Sequence, residues 1–262
     1  ANIFVGQTEA PLMVRPFIST MTKSELMAVM VGGFATVAGG ILAIYVQWLT
    51  DIPGIAGHLL AASVMSAPAS LVVAKIIYPE LESSKTQGDL NINIEKANSN
   101  AMEALASGAT DGLKLAANVA GMLIAFISII AMFNYLLSFA NTSIDQILGL
   151  LFQPLAWTMG IPWEDSAIVG TLMGKKIAFT ELIAFGDLKN IIATGQISDR
   201  SALIASYALC GFANFGSIGI QLGGIGAMAP DRKNDLSKLV IKAMLGGAIA
   251  SWLTASIVGI II

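Results

Sequence analysis

Gly6-Gln7-Thr8-Glu9-Ala10-Pro11 places a glycine, three polar side chains and a proline inside an apolar run, with Ile3-Phe4-Val5 before it and Leu12-Met13-Val14 after it. A second interruption runs from Gly174-Lys175-Lys176 to Thr180-Glu181. Thr8-Glu9 leads through Ser24-Glu25-Leu26 to Phe34-Ala35-Thr36-Val37-Ala38-Gly39, and Thr180-Glu181 leads through Ser201-Ala202-Leu203 to Phe212-Ala213-Asn214-Phe215-Gly216-Ser217. The separation drifts only from 172 residues at the Thr-Glu pairs to 178 at the phenylalanines, so the two stretches read as copies. Three clear apolar spans lie between the Thr-Glu pairs, and an odd number of crossings inverts the second copy. Inverted repeats with interrupted helices are a signature of secondary transporters. Backbone that leaves the helix at membrane depth is tolerated where it lines a cavity or is buried in protein.

Composition supports a bilayer setting. Of 262 residues 55% are hydrophobic and 12% charged, with a mean hydropathy of +0.76, whereas a soluble domain carries about 25% charged residues. Apolar runs at 26–48, 58–78, 113–137, 203–228 and 239–262 are near the roughly 20 residues that cross a hydrocarbon core. Shorter ones lie at 144–160, broken by Pro154, and at 167–185. Trp157 and Trp163 suit a headgroup boundary, so 144–160 reads as interfacial or re-entrant. The polar stretch 80–111 carries Ile92, Ile94, Ala97, Met102 and Leu105 at loose helical spacing. It is either an amphipathic helix on the membrane surface or a solvated linker helix.

The positive-inside rule places 12–25, 75–114 and 229–242 in the cytoplasm and the C-terminus outside, because Lys and Arg gather there and are absent from 45–56 and 135–165. Lys189 and Arg200 fall against this assignment. No basic stripe for nucleic acid emerges from a net charge of −3. One cysteine, Cys210, and one histidine, His58, leave little for disulfides, thiolate metal sites or acid–base schemes, and intramembrane proteolysis lacks its residues. The chain starts Ala1-Asn2-Ile3-Phe4, without Met or a basic n-region, and reads as the middle of something longer.

Glu9 and Glu181 are the informative acids, because a charge within an apolar stretch costs about 2.5–3.5 kcal/mol on insertion scales. Either each glutamate pairs with Lys175 or Lys176 or caps a half-helix, or the matched positions point both acids at one shared interface. The second reading is preferred. Carboxylates only accept hydrogen bonds, so together with Gln7, Thr8, Asn214 and Ser217 they suit a neutral ligand rich in hydroxyl and N–H groups. Phe212 and Ile41 are apolar walls or simple packing. Thr36-Val37, followed by Ala38-Gly39-Gly40, reads as a flexible glycine kink in preference to a break offering oxygen ligands to Na+. Gly216 to Gly226 poses a similar choice between close packing and a functional break.

Val5 to Leu12, Met21-Thr22-Lys23-Ser24-Glu25-Leu26, Ala35-Thr36-Val37-Ala38-Gly39-Gly40, Thr180-Glu181-Leu182-Ile183-Ala184-Phe185, Phe212 to Gln221 and Ala229-Pro230-Asp231-Arg232-Lys233 together resemble the concentrative nucleoside transporters, in order over essentially the whole chain. The resemblance implies an all-α polytopic membrane protein of inverted repeats, with re-entrant helical hairpins and discontinuous transmembrane helices. Residues 1–79 would form the first repeat, 80–140 the amphipathic and scaffold helices, and 141–262 the second repeat. It further implies a homotrimer in plasma membrane lipid, the inner membrane of a bacterium, that is no enzyme and needs no cofactor. Such a trimer imports nucleosides on a Na+ gradient, or H+ in some members. Gln7, Thr8 and Glu9 would contact the base beside Ile41 and Phe212, while Glu181, Asn214 and Ser217 would hold the ribose hydroxyls. Na+ would lie at Asn2, Val5, Thr36 and Val37. Relatives more often carry serine at position 36 and asparagine at 180, and have three further spans upstream. A free nucleobase as substrate, or a nucleoside-binding sensor that does not transport, are the competing expectations.

Overall fold

A computed structural model describes residues 1–85 and 100–262, and among these every regular element is helical. A 3-10 turn at Ala10–Val14 leads into a single turn, α1 (Arg15–Ile18). Next comes α2 (Lys23–Ala35), opened by a capping box in which Thr22 Oγ1 accepts from the Glu25 N–H and the Glu25 carboxylate accepts from the Thr22 N–H, two otherwise orphaned donors satisfied reciprocally. α3 (Gly39–Trp48) and α4 (Ile55–Ile77) follow, then the long α5 (Ala101–Ser138). The second half comprises α6 (Ile144–Thr158), α7 (Trp163–Ala178), α8 (Glu181–Ala193), α9 (Asp199–Leu209), α10 (Phe215–Met228) and α11 (Lys233–Ile261). α4, α5, α11 and the α2–α3 pair are long and apolar enough to cross a membrane.

Two ends of the bundle are recognisable from their bonds. At one, Lys23 pairs with Asp235 at 3.7 Å, Ser24 donates to the Tyr78 carbonyl at 2.7 Å, and Arg232 donates to the carbonyls of Ile18, Ser19 and Met21. This gathers the start of α2, the end of α4 and the start of α11. At the other end Arg200, in the first turn of α9, donates to the carbonyls of Gly160 and Gly259. α2 and α9 therefore enter from opposite ends, as an inverted repeat demands. Arg200 answers helix C-terminal carbonyls, a favourable place for a cation, which accounts for its position against the charge tally.

Small residues set how closely the helices approach. A Cβ on Gly170 would sit 2.7 Å from the Gly149 carbonyl oxygen, and one on Gly174 would sit 2.5 Å from that of Asp145, so α6 and α7 pack backbone to backbone. Gly246 and Gly247 of α11 likewise admit Val31 and Phe34 of α2. Leu26, Met27, Met30, Val31 and Phe34 are fully buried there.

The structure corrects several boundaries. Residues 26–48 and 203–228 are not continuous helices: the first breaks at Thr36–Ala38, with Thr36 and Ala38 extended, and the second at Cys210–Asn214. The second break precedes Gly216 to Gly226, whose glycines lie within α10, where Gly219 meets Met122 and Phe126 of α5. Glycine there serves packing. The interruption at 174–181 is narrower than the sequence indicates, since α7 continues to Ala178. Lys175 is satisfied by Asp187 and Lys176 by two carbonyls, so neither charge disrupts the helix. Met102 and Leu105 belong to α5 and not to a separate surface helix. Ile92, Ile94 and Ala97 lie outside the described residues.

Candidate functional site

The two helical breaks meet. Gly211 has φ +103°, a conformation L side chains rarely adopt, and a Cβ on it would lie 2.8 to 2.9 Å from the carbonyl oxygens of Ala35 and Phe34 and from Ser251 Oγ. Glycine thus satisfies a backbone requirement and a steric one together. The contact seats the second copy's break on the C-terminal end of α2.

Beside this junction lies Glu181, 5% exposed, at the first position of α8. The positive end of the helix dipole favours a carboxylate there. Oε1 accepts from the Tyr45 hydroxyl at 3.2 Å and Oε2 from Asn214 Nδ2 at 3.0 Å. Asn214 is the N-cap of α10, and its Oδ1 accepts from the Ser217 N–H at 2.7 Å. A backbone N–H can only donate, so the amide is fixed with its nitrogen toward Glu181.

Gln7 joins the same network from the other copy. Its Nε2 donates to Ser217 Oγ at 3.0 Å, and its Oε1 accepts from Gln221 Nε2 at 3.3 Å. Gln221 Nε2 also donates to the Met30 carbonyl at 3.0 Å, approaching across Gly33, where a Cβ would sit 2.6 Å away. The structure thus links Gln7, Ser217, Asn214 and Glu181 into one buried chain of hydrogen bonds. Thr8 and Glu9 are not linked to it by a hydrogen bond: Thr8 is buried and donates to the exposed Glu9 at 3.0 Å. Ile41 and Phe212 are half-buried against the apolar cluster that includes Val37 and Tyr45.

Among the described residues neither Lys175 nor Lys176 forms a salt bridge with a glutamate. Lys175 pairs with Asp187, and Lys176, wholly buried, donates to the carbonyls of Ala208 and Cys210 at 3.0 and 2.9 Å. Those carbonyls close α9, so the lysine caps a helix C-terminus from within the bundle. The half-helix cap next to Glu181 is Thr180, whose hydroxyl accepts from the Ile183 N–H.

Of the four positions expected to hold an ion, Asn2 and Thr36 converge. Asn2 Nδ2 and Thr36 Oγ1 both donate to the Gly32 carbonyl in the last turn of α2. Among the described residues Asn2 Oδ1 is buried without a partner, an unsatisfied acceptor of the kind that calls for an explanation. Hard oxygen donors suit a hard cation, and this orphaned amide oxygen, with the Thr36 hydroxyl at the break, fits Na+. Val37 is buried and Val5 exposed, and neither side chain has a polar atom to offer. The Phe4 carbonyl accepts from the Gly39 N–H at 2.9 Å, tying the first segment to the start of α3. Sequence reasoning missed Tyr45 and Gln221. Gln221 left a signal, an amide inside an apolar run, whereas Tyr45 left none.

Known proteins resemble the chain over nearly its whole length. A family model described as "Na+ dependent nucleoside transporter C-terminus" matches residues 58–259. Solute carrier family 28 member 3 of Homo sapiens is 42% identical over 281 residues, covering 99% of this chain and 40% of that protein. An uncharacterized transporter of Bacillus subtilis, YutK, is 42% identical over 270 residues, covering 100% and 65%. A solved structure of CNTnw in an inward-facing substrate-bound state matches with 43% identity and a TM-score of 0.79, covering 99% of this chain and 62% of that one. A doubly substituted form of CNTnw in an outward-facing state matches with 42% identity and a TM-score of 0.87, covering 99% and 63%. The chain spans about two fifths of the human relative and under two thirds of the bacterial one.

Proposed function

We propose a function from one premise: the chain belongs to the family of Na+ dependent nucleoside transporters. The intact protein is a multi-pass membrane transporter and not an enzyme. It carries nucleosides inward across the plasma membrane, the inner membrane in a bacterium, as a lipid-embedded homotrimer driven by Na+, with H+ as the alternative coupling ion. The observation that carries this reading is the buried Glu181 carboxylate, bonded from both copies of the repeat by Tyr45 and Asn214. A neutral ligand bearing hydroxyls is what such an acceptor can hold without charge repulsion. Glu181, Asn214 and Ser217 hold the ribose, Gln7, Thr8 and Glu9 meet the base, and Ile41 and Phe212 flank it. Asn2 and Thr36 supply oxygens to Na+, with Val5 and Val37 placed around them through their backbone.

Uptake of labelled uridine and adenosine into proteoliposomes of the full-length protein, with Na+ replaced by choline at two pH values, tests the proposal. Concentrative uptake that collapses in choline is expected. Uptake indifferent to both Na+ and pH gradients overturns it, and competition by free uracil as strong as by uridine would transfer the substrate to the nucleobase.

A further inference from the structure

We infer that Tyr45 is a positioning residue for the sugar: its hydroxyl sets the plane of the Glu181 carboxylate and so aims its remaining acceptor capacity at a sugar hydroxyl. This deepens the proposed function and rests on it. The terminal torsion of a glutamate is broad and has no strong rotamer of its own, so the carboxylate plane is set by its partners. A carboxylate offers about four lone-pair sites on two oxygens. Tyr45 occupies one on Oε1 and Asn214 one on Oε2, the backbone N–H of Glu181 takes a further one, and the direction of what remains is set by these partners. A sugar hydroxyl matches that acceptor, and a sugar lacking the hydroxyl gains nothing from its direction.

Tyr45 is itself held rigidly. It is 1% exposed, and its ring stacks on Phe185 with centroids 4.0 Å apart and planes 16° from parallel. Phe185 and Glu181 are one turn apart on α8, hence on one face, so the tyrosine lies along that face with its ring on one residue and its hydroxyl on the other. Phenylalanine at this position keeps the stack and removes only the hydroxyl.

In the full-length protein, Tyr45→Phe should raise the uridine half-saturation about tenfold, the weight of one good hydrogen bond. The value for 2′-deoxyuridine should rise less than about twofold, with maximal uptake of either little changed. Tyr45→Leu, which lacks the hydroxyl through a different packing, should lose the same discrimination. In a Glu181→Gln background Tyr45→Phe should add no further loss of discrimination. An equal rise for both sugars would make Tyr45 a packing residue, and no change for either would remove it from recognition; both outcomes overturn the inference while leaving nucleoside import standing. Failure of the unsubstituted protein to take up uridine at all would instead overturn the function on which the inference rests.

Discussion

At the residue scale, Glu181 shows how a single anomaly carries information. A carboxylate in an apolar stretch demands a reason, and the sequence alone marks it. Glu181→Gln should raise the uridine half-saturation by about 10- to 100-fold, because the amide keeps one neutral acceptor oxygen where the carboxylate has two charged ones, and a hydrogen bond to a charged group is worth about 1.5–3 kcal/mol. Uptake kinetics in proteoliposomes read this directly. Glu9 carries the same signal in the sequence but lies exposed beside Thr8, since register in a repeat fixes order along the chain and not burial. Tyr45 was illegible for the opposite reason: a tyrosine in an apolar helix is ordinary packing until its hydroxyl is seen to meet an acid. Gly211→Ala should be among the most damaging small changes. It adds a strained φ, worth about 1–3 kcal/mol, to a clash with two carbonyls of α2, and a clear fall in the thermal unfolding midpoint in detergent is the expected result.

At the scale of elements, the helical breaks hold the site, and the sequence located them unevenly. Thr36-Val37 with its following glycines announced the first break as one of two readings, and the structure settles it as a full interruption. Gly216 to Gly226 offers the same choice in the sequence, yet Gly219 and Gly223 face α5 and Gly226 faces Lys233 of α11. Glycine content reports a need for space without saying whether backbone conformation or a neighbouring helix requires it. Thr36→Val removes the hydroxyl at the first break while keeping the shape, so the Na+ concentration for half-maximal uridine uptake should rise about tenfold, as expected for one lost oxygen contact. Thr36→Ser should retain the native value. A Thr36→Val protein with unaltered Na+ dependence would remove that side chain from the ion site.

At the scale of the whole molecule, the inverted repeat is the feature most fully legible in advance, because crossing parity follows from counting spans. Which ends gather together follows from charge, and the cluster of Lys23, Asp235, Lys75, Glu80 and Arg232 agrees with the grouping of 12–25, 75–114 and 229–242. Slight desolvation raises the Glu80 pKa, but hydrogen bonds from Thr22 Oγ1 at 2.8 Å, Lys75 and the Glu82 N–H outweigh it, holding the carboxyl below its ordinary value. A depressed folded-state pKa stabilises above the unfolded pKa, and the contribution is lost as pH falls through the folded value. Protection of the amides at the N-terminus of α2, after division by the intrinsic exchange rate at each pH, should therefore fall modestly as pH drops through the carboxylate range, and Glu80→Gln should flatten that dependence. The effect stays small because the group is exposed.

The bonds that build the site run mostly between the copies: Gln7 to Ser217, Gln221 to the Met30 carbonyl, Tyr45 to Glu181, and Gly211 against Ala35 and Phe34. Neither copy closes its own half. During synthesis, Gln7 and the Met30 carbonyl therefore remain without their side-chain partners until ribosomes have passed residue 221.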